Sequence, residues 1–190
     1  NTLLAKLLAQ EGHCLTTTVD QHHLRLMKEK HCYVALDPAA ESAETVNYAL
    51  PSGREVPLTD ERWKCPEALF NPALVGIESM GVAGLVWETI CKCEIDVRKT
   101  LLSNVVLSGG STMFPGFAER LAKDLRSLAP TASQANIKVI SPKDQKNAVW
   151  AGAQVFASLR SMQEDQWMTF DDYDEYGASF IHDKIAVRYA

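Results

Sequence analysis

Val105-Val106-Leu107-Ser108-Gly109-Gly110-Ser111-Thr112-Met113-Phe114-Pro115-Gly116 follows Asn104 in a chain of 190 residues. Three apolar residues stop at a glycine pair, and a strongly amphipathic segment comes next. A buried strand, a turn and a helix are predicted in that order. Paired glycines lack Cβ atoms, so main chain can come close to another group there, and the N–H groups that open a following helix attract anions. Two readings stay open from the residues alone. Either the turn approaches a nucleotide, or it is a tight strand-to-helix connection that touches nothing; short glycine motifs do not separate the two. Beyond the turn, Phe117, Leu121, Leu125 and Leu128 share one helical face, with Glu119–Lys123 and Arg120–Asp124 as i,i+4 pairs on the outside.

Outward from this stretch, Leu3, Leu4, Leu7 and Leu8 mark a first helix that runs to Gln10, with Gly12 as its stop. Residues 16–18 form a turn, and Asp20 is placed to cap a second helix with Leu24 and Met27 inward. Residues 33–36 are predicted as a short strand and residues 38–45 as a small, acidic surface loop. Residues 47–50 and 55–58 flank Pro51-Ser52-Gly53 as a β-hairpin. Residues 62–70 mix Trp63, Cys65, Pro66 and Leu69, which predicts irregular structure anchored by buried aromatics. Residues 72–76 form an apolar loop, and residues 81–91 a helix with Leu85 and Ile90 inward. Residues 137–140 are a β-branched strand. Residues 148–159 are apolar on most sides, which predicts a helix that is buried or docked against a partner. From Trp167 the tail is aromatic and acidic, and it closes on the basic-apolar residues 184–190.

With 46% hydrophobic and 23% charged residues the composition is that of a globular protein. A formal charge of −5 argues against a broad nucleic-acid surface. No apolar run is long enough to cross a bilayer, and Lys6 interrupts the opening leucines, so no signal peptide is expected. Cys14, Cys32, Cys65, Cys91 and Cys93 are odd in number and irregular in spacing, without a C-x-x-C pair. Reduced thiols in an intracellular protein are expected rather than a zinc site or disulfide framework. The first residues already carry a helix pattern, which predicts a piece of something longer.

Other residues with chemical potential are few. Arg25 and Glu29 share a helix face with Lys28 beside them, and two cations with a carboxylate suit either a ribose and base edge or a solvated charged surface. Lys146 follows Pro142 in a polar loop. Its aliphatic stem can cover a flat ring while its ammonium stays wet, or it is a surface lysine. Asp171-Asp172-Tyr173-Asp174-Glu175 lacks the spacing and glycine of an EF-hand loop and reads as an acidic helix start. His22 and His23 are adjacent and point apart on a helix. His13, His31 and His182 have no Ser or Cys partner at a recognisable motif. No G-x-S-x-G, H-E-x-x-H or Walker loop is present, and no residues are assigned as catalytic.

The glycine stretch closely resembles the second adenosine motif of the actin family. Further stretches resemble that family in order along nearly the whole chain: Lys28-Glu29-Lys30 through Cys32-Tyr33-Val34-Ala35-Leu36, Glu61-Arg62 with Cys65-Pro66-Glu67-Ala68-Leu69-Phe70, Gly76 with Glu78-Ser79, Asp96-Val97-Arg98-Lys99, Val149-Trp150 with Gly152 and Ala157-Ser158-Leu159, and Trp167 with Glu175-Tyr176-Gly177, His182 and Lys184. The resemblance implies an α/β chain with the actin-like ATPase (ribonuclease H-like) fold. It covers the C-terminal half only and carries a helical α+β insertion subdomain. Residues 1–80 correspond to a fourth-subdomain-like region with the adenosine-side helix, and residues 81–147 to a third-subdomain-like α/β core with the Gly-Gly turn. Residues 148–190 correspond to the part returning to the first subdomain.

By position, the resemblance assigns Arg25, Lys28 and Glu29 to ribose and base contacts, Gly109, Gly110, Ser111 and Met113 to the nucleotide turn, and Lys146 to the face of the adenine. The phosphate-binding loops, and the groups that position metal and attacking water, are expected upstream. ATP or ADP with Mg is thus expected only if a missing half is supplied. Ala151, Val155, Phe156 and Leu159 correspond to the floor of a groove where partners insert a helix, and residues 73–76 to an apolar plug between filament strands. Departures mark a divergent, actin-related protein: Asn147 where an aromatic is usual, a shortened acidic loop at 38–45, insertions at Gln134-Ala135 and Gln163-Glu164-Asp165-Gln166, and a changed C-terminus from Ile185. The implied function is that of a cytoplasmic, cytoskeletal structural protein that assembles with actin-like subunits or binds helix-donating partners, with neither nucleic acid nor membrane. The alternatives are an ATP-hydrolysing enzyme completed by a missing N-terminal half, and a non-polymerising helix-binding module.

Overall fold

The computed structural model describes residues 1–159 and 167–186, with side chains described up to Lys184. The insertion at Gln163-Glu164-Asp165-Gln166 and residues 187–190 of the changed C-terminus lie outside the described residues. The chain divides into two compact units, Asn1–Lys146 and Asn147–Ala190.

The first unit begins with α1 (Thr2–Gln10) and α2 (Thr18–His31). Asp20 is not the cap of α2: the Thr17 hydroxyl accepts from the Asp20 N–H while the Asp20 carboxylate accepts from the Thr17 N–H, a reciprocal capping box. Leu24 and Met27 are fully buried, as the spacing predicts. The hairpin forms from β1 (Val46–Ala49) and β2 (Glu55–Leu58), antiparallel with Tyr48 opposite Val56. Leu4, Leu8, Leu15, Leu24, Met27, Leu50, Val56 and Leu58 make one hydrophobic core.

Residues 62–70 are more regular than the sequence suggests. Glu61–Glu67 form α3, with Pro66 in its last turn, where little helix remains for the missing N–H to break. The Glu61 carboxylate accepts from the Thr59 N–H and hydroxyl and so secures the start of the helix. Trp63 is half-buried rather than a core anchor. Residues 33–36 do not form a strand. They run extended, with the Tyr33 N–H donated to the Arg62 carbonyl in the first turn of α3 and the Val34 N–H to the Pro115 carbonyl, so their pairing goes to a helix start and a loop and not to a sheet. All five cysteines are free thiols. Cys32 and Cys65 are in hydrogen-bonding contact, and that contact together with burial pushes the Cys32 thiol up.

A 3-10 turn (Pro72–Val75) leads to α4 (Val82–Lys92) and α5 (Ile95–Leu102). Ile90 and Ala83 of α4 are buried, but Leu85 is 48% exposed, because the inward face of this helix runs through 83 and 90. Strand β3 (Val105–Val106), α6 (Phe117–Leu128) and β4 (Val139–Ile140) form a parallel β–α–β unit, with α7 (Thr131–Gln134) between α6 and β4. The strand before the glycines is not buried throughout: Val106 is 58% exposed while Leu107 is buried, since a two-stranded sheet covered by α6 leaves its other face open. Phe117, Leu121 and Leu125 enter the second core with Ile90, Leu102, Leu107 and Ile137; Leu128 stays exposed.

Arg120 departs furthest from its expected place. It sits inward, 11% exposed, and its guanidinium forms a two-pronged ion pair with Glu67 (2.9 and 3.0 Å), itself 8% exposed. It also reaches Asp124 at 3.0 Å, donates to the Ala35 carbonyl at 2.8 Å and covers the Phe70 ring. Burial opposes the charge, yet Glu67 and Asp124 hold the guanidinium above its ordinary pKa. Lys123, its neighbour, donates to the Leu36 carbonyl. Close approach of main chain is needed at Gly116: φ is +81°, and a Cβ there would lie 2.4 Å from the Val34 carbonyl oxygen.

The second unit contains α8 (Ala148–Ser158), α9 (Phe170–Tyr176) and α10 (Phe180–Ala186). Of the two alternatives its composition predicts, burial or docking against a partner, the first is not met: no side chain of α8 is buried. Thr169 and Asp172 form a capping box on α9. Lys184 bonds the Asp172 carboxylate at 2.7 Å; that bond, with the Thr169 hydrogen bonds, holds Asp172 down at about 2.

Removing one partner of the Arg120–Glu67 pair strands the other in a poorly solvated site. Arg120→Ala is expected to destabilise the chain by about 3 kcal/mol in urea unfolding, and the double change Arg120→Met with Glu67→Met by clearly less. Equal losses would show that the pair, and not the stranded charge, sets the cost.

Candidate functional site

Two elements and one loop converge on a cleft of about 400 Å³ in the first unit. The last turns of α2 present Arg25, Lys28 and Glu29; the segment after β3 presents Gly110, Ser111, Met113 and Phe114; the loop before residue 147 presents Lys146. The lining residues run from Arg25 to Lys146, with about eighty residues between α2 and the glycine segment, so the fold alone brings these groups together. Its volume falls within the range of about 300–1,000 Å³ usual for small-molecule sites.

Charge is arranged around one carboxylate. Arg25 Nε lies 2.8 Å from Glu29 Oε1, and Lys146 Nζ lies 3.9 Å from Glu29 Oε2. The Arg25 hydrogen bond, and then Lys146 and its fellow cations, hold the Glu29 carboxyl below the usual carboxylate range. Glu29 is thus an ionised acceptor over the neutral range, suited to hydroxyl or N–H donors. Arg25 and Lys146 are well exposed, free to turn toward an anionic or aromatic guest.

The turn itself differs from a strand running straight into a helix. A 3-10 turn (Gly110–Met113) stands between the glycine pair and α6, so the start of α6 is not at the glycines. Gly109 is the one residue assigned to the nucleotide turn or its neighbours that does not line the cleft. Its role is conformational: φ is +95°, its N–H is donated to the Gln145 carbonyl at 2.7 Å, and its carbonyl accepts from the Thr112 N–H and hydroxyl. Phe114 lines the cleft although it was not singled out among the turn residues. Its signal was present in the quoted stretch, as the one aromatic between the glycines and α6.

Ala151, Val155, Phe156 and Leu159 fall on or directly after α8, in the second unit. Val155 and Phe156 are 64% and 48% exposed, with Leu159 also exposed and Ala151 half-buried. Residues 73–76 form the 3-10 turn and its left-handed Gly76 stop, with Leu74 and Val75 exposed. Among the described residues no group of His, Cys, Asp and Glu is placed to hold a metal ion, and no helix is long and apolar enough to cross a membrane. The cleft's donor set of cations, one engaged carboxylate and main chain fits a nucleoside better than a resident Mg²⁺.

The two glycines are expected to respond differently to a methyl group. At Gly109 space is free but φ is positive; at Gly110 space is free and φ is ordinary. Gly109→Ala is expected to lower stability by about 1–2 kcal/mol and Gly110→Ala by much less, read by thermal unfolding. Equal effects would remove the conformational account of Gly109.

Residues 4–186 match the family model for Actin, nearly the full length of the chain. With that match, and with the α/β architecture above, the chain belongs to the actin family.

Proposed function

We propose that this chain is an actin-like cytoskeletal protein of the cytoplasm whose cleft takes the adenosine part of ATP or ADP, and which acts by binding partners or assembling with actin-like subunits. The observation that carries the reading is the convergence of Arg25, Lys28, Glu29, Gly110, Ser111, Met113 and Lys146 on one cleft in a chain of the actin family. In this reading Glu29 accepts from the ribose hydroxyls, Arg25 and Lys28 flank the sugar and base edge, and the Lys146 stem covers the adenine. Asn147 supplies no aromatic ring beside it, so packing on the base is thin. The parts proposed for the chain are residues 1–80, 81–147 and 148–190; the break near 147 agrees with the division into two compact units, whereas the core around Leu121 takes in Val34 and Phe70 and so crosses the boundary at 80.

The residues of the cleft supply contacts to a nucleoside and no dedicated phosphate cradle. Adenosine and ATP are therefore expected to bind the 190-residue chain within about threefold of each other, a difference under 1 kcal/mol, with little effect of Mg²⁺. Titration followed by NMR measures this, with Lys146→Ala as the weakened control. Absence of any adenosine binding would overturn the nucleotide reading. A tenfold or larger preference for ATP with Mg²⁺ would favour the ATP-hydrolysing alternative.

A second reading rests on a separate observation: α8 presents Trp150, Val155 and Phe156 to solvent with no buried side chain of its own. An amphipathic helix from a partner is the occupant proposed for this face. Phe156→Asp is expected to abolish capture of an amphipathic helical peptide in a fluorescence-anisotropy titration; unchanged capture would remove α8 from the partner surface.

A further inference from the structure

Gln145, 5% exposed, does not line the cleft but borders a neighbouring cavity with Thr112 and Ser141. Every polar group it offers is engaged on the turn or on its own loop. Its carbonyl accepts the Gly109 N–H at 2.7 Å. Its side-chain Nε2 donates to the Thr112 carbonyl at 2.8 Å, and its Oε1 accepts from the Ser141 hydroxyl at 2.5 Å. The amide orientation follows from these partners, since a carbonyl oxygen can only accept. Thr112 in turn closes the turn on itself through the Gly109 carbonyl. The next residue in the chain is Lys146, whose ammonium reaches the Glu29 carboxylate.

We infer that Gln145 is the positioning residue of the cleft: its buried amide ties the Gly110–Met113 turn to the loop that carries Lys146, so that both walls keep their spacing. The inference rests on the nucleotide reading above for its functional meaning. Two bonds make this tie: the main-chain bond from the Gly109 N–H to the Gln145 carbonyl, which any side chain at 145 leaves in place, and the donated hydrogen bond from Nε2 to the Thr112 carbonyl. A side chain of the same shape that cannot donate loses the second and loosens the Thr112 end of the turn.

Gln145→Glu isolates that donor. At neutral pH the introduced carboxylate faces the Thr112 carbonyl, oxygen against oxygen, with Asp144 and Lys146 as its charged chain neighbours. When protonated, the introduced carboxyl donates as the amide did, and burial raises the pH at which it does so. Titration of the whole 190-residue chain with ADP by NMR tests this, with wild type measured at each pH. Affinity in Gln145→Glu is expected to fall about tenfold at about pH 8 and to recover toward wild type near pH 5.5. Gln145→Met, which keeps the volume and removes the donor at every pH, is expected to stay weak throughout and to speed amide exchange at Ser111 and Met113. Thermal unfolding of each variant at each pH separates the two roles: an affinity loss at about pH 8 with an unfolding temperature near that of wild type is positioning, whereas a loss that tracks the unfolding temperature is structural and overturns the inference. If wild type binds ADP and both variants bind within twofold of it at every pH, the inference is overturned. If wild type does not bind ADP, the nucleotide reading fails; the exchange rates in Gln145→Met then decide the positioning contact by themselves, faster exchange supporting it and unchanged exchange overturning it.

Discussion

The Arg120 guanidinium is the constraint on which the first unit turns. A long amphipathic helix would normally keep an i,i+4 ion pair in water, where it contributes little. Here Arg120 points inward, and its charge is met by Glu67 from α3, Asp124 from its own helix, the Ala35 carbonyl and the face of Phe70. These partners come from both sides of the unit: α6 belongs to the core around Leu121, while α3 leans on the core around Leu24 through Cys65. A planar cation with several fixed donors sets angle as well as distance, which an apolar contact does not. The cleft inherits that rigidity, since α2 belongs to one of these cores and the glycine turn is joined to α6 by only residues 114–116.

Within the cleft the electrostatics serve a similar end at a lower cost in burial. Glu29 sits between Arg25 and Lys146, so the carboxylate is kept ionised and oriented while both cations stay exposed. A guest that offers hydroxyl donors to Glu29 need not break a buried pair to enter. The conformationally demanding residue, Gly109, stands behind the lining, and the turn it permits is braced by Gln145.

Much of the architecture was legible because it follows from periodicity. Leu4, Leu8, Leu24, Met27, Phe117, Leu121 and Leu125 are buried where helical spacing places them, and the Pro51-Ser52-Gly53 turn does join two paired strands. Of the residues assigned to the nucleotide site, all but Gly109 line the cleft, and the resemblance to the actin family, not their local pattern, brought them together. What escaped the sequence has specific causes. Residues 61–67 hide a helix behind a proline whose cost depends on where in the helix it falls. Leu85 lies off the face that runs through Ala83 and Ile90, and Arg120 reversed its expected side because its tertiary partners, Glu67 above all, override the local pattern. The extended residues 33–36 pair with the start of α3 at 62 and the loop at 115, a pairing no local signal encodes. Gln145 carried no signal beyond its position before Lys146.

The Arg120–Ala35 and Lys123–Leu36 contacts join positions 85 and 87 residues apart. Closing so long a loop is entropically unfavourable until neighbouring contacts offset it. The hairpin with α1 and α2, and β3 with α6 and β4, each bring together nearer stretches of chain and can gather first. The two carbonyls at 35 and 36 are therefore acceptors that α6 reaches at a larger loop-closure cost than the contacts within each group, and α2, which lines the cleft, lies across a similarly long span of chain from the glycine turn.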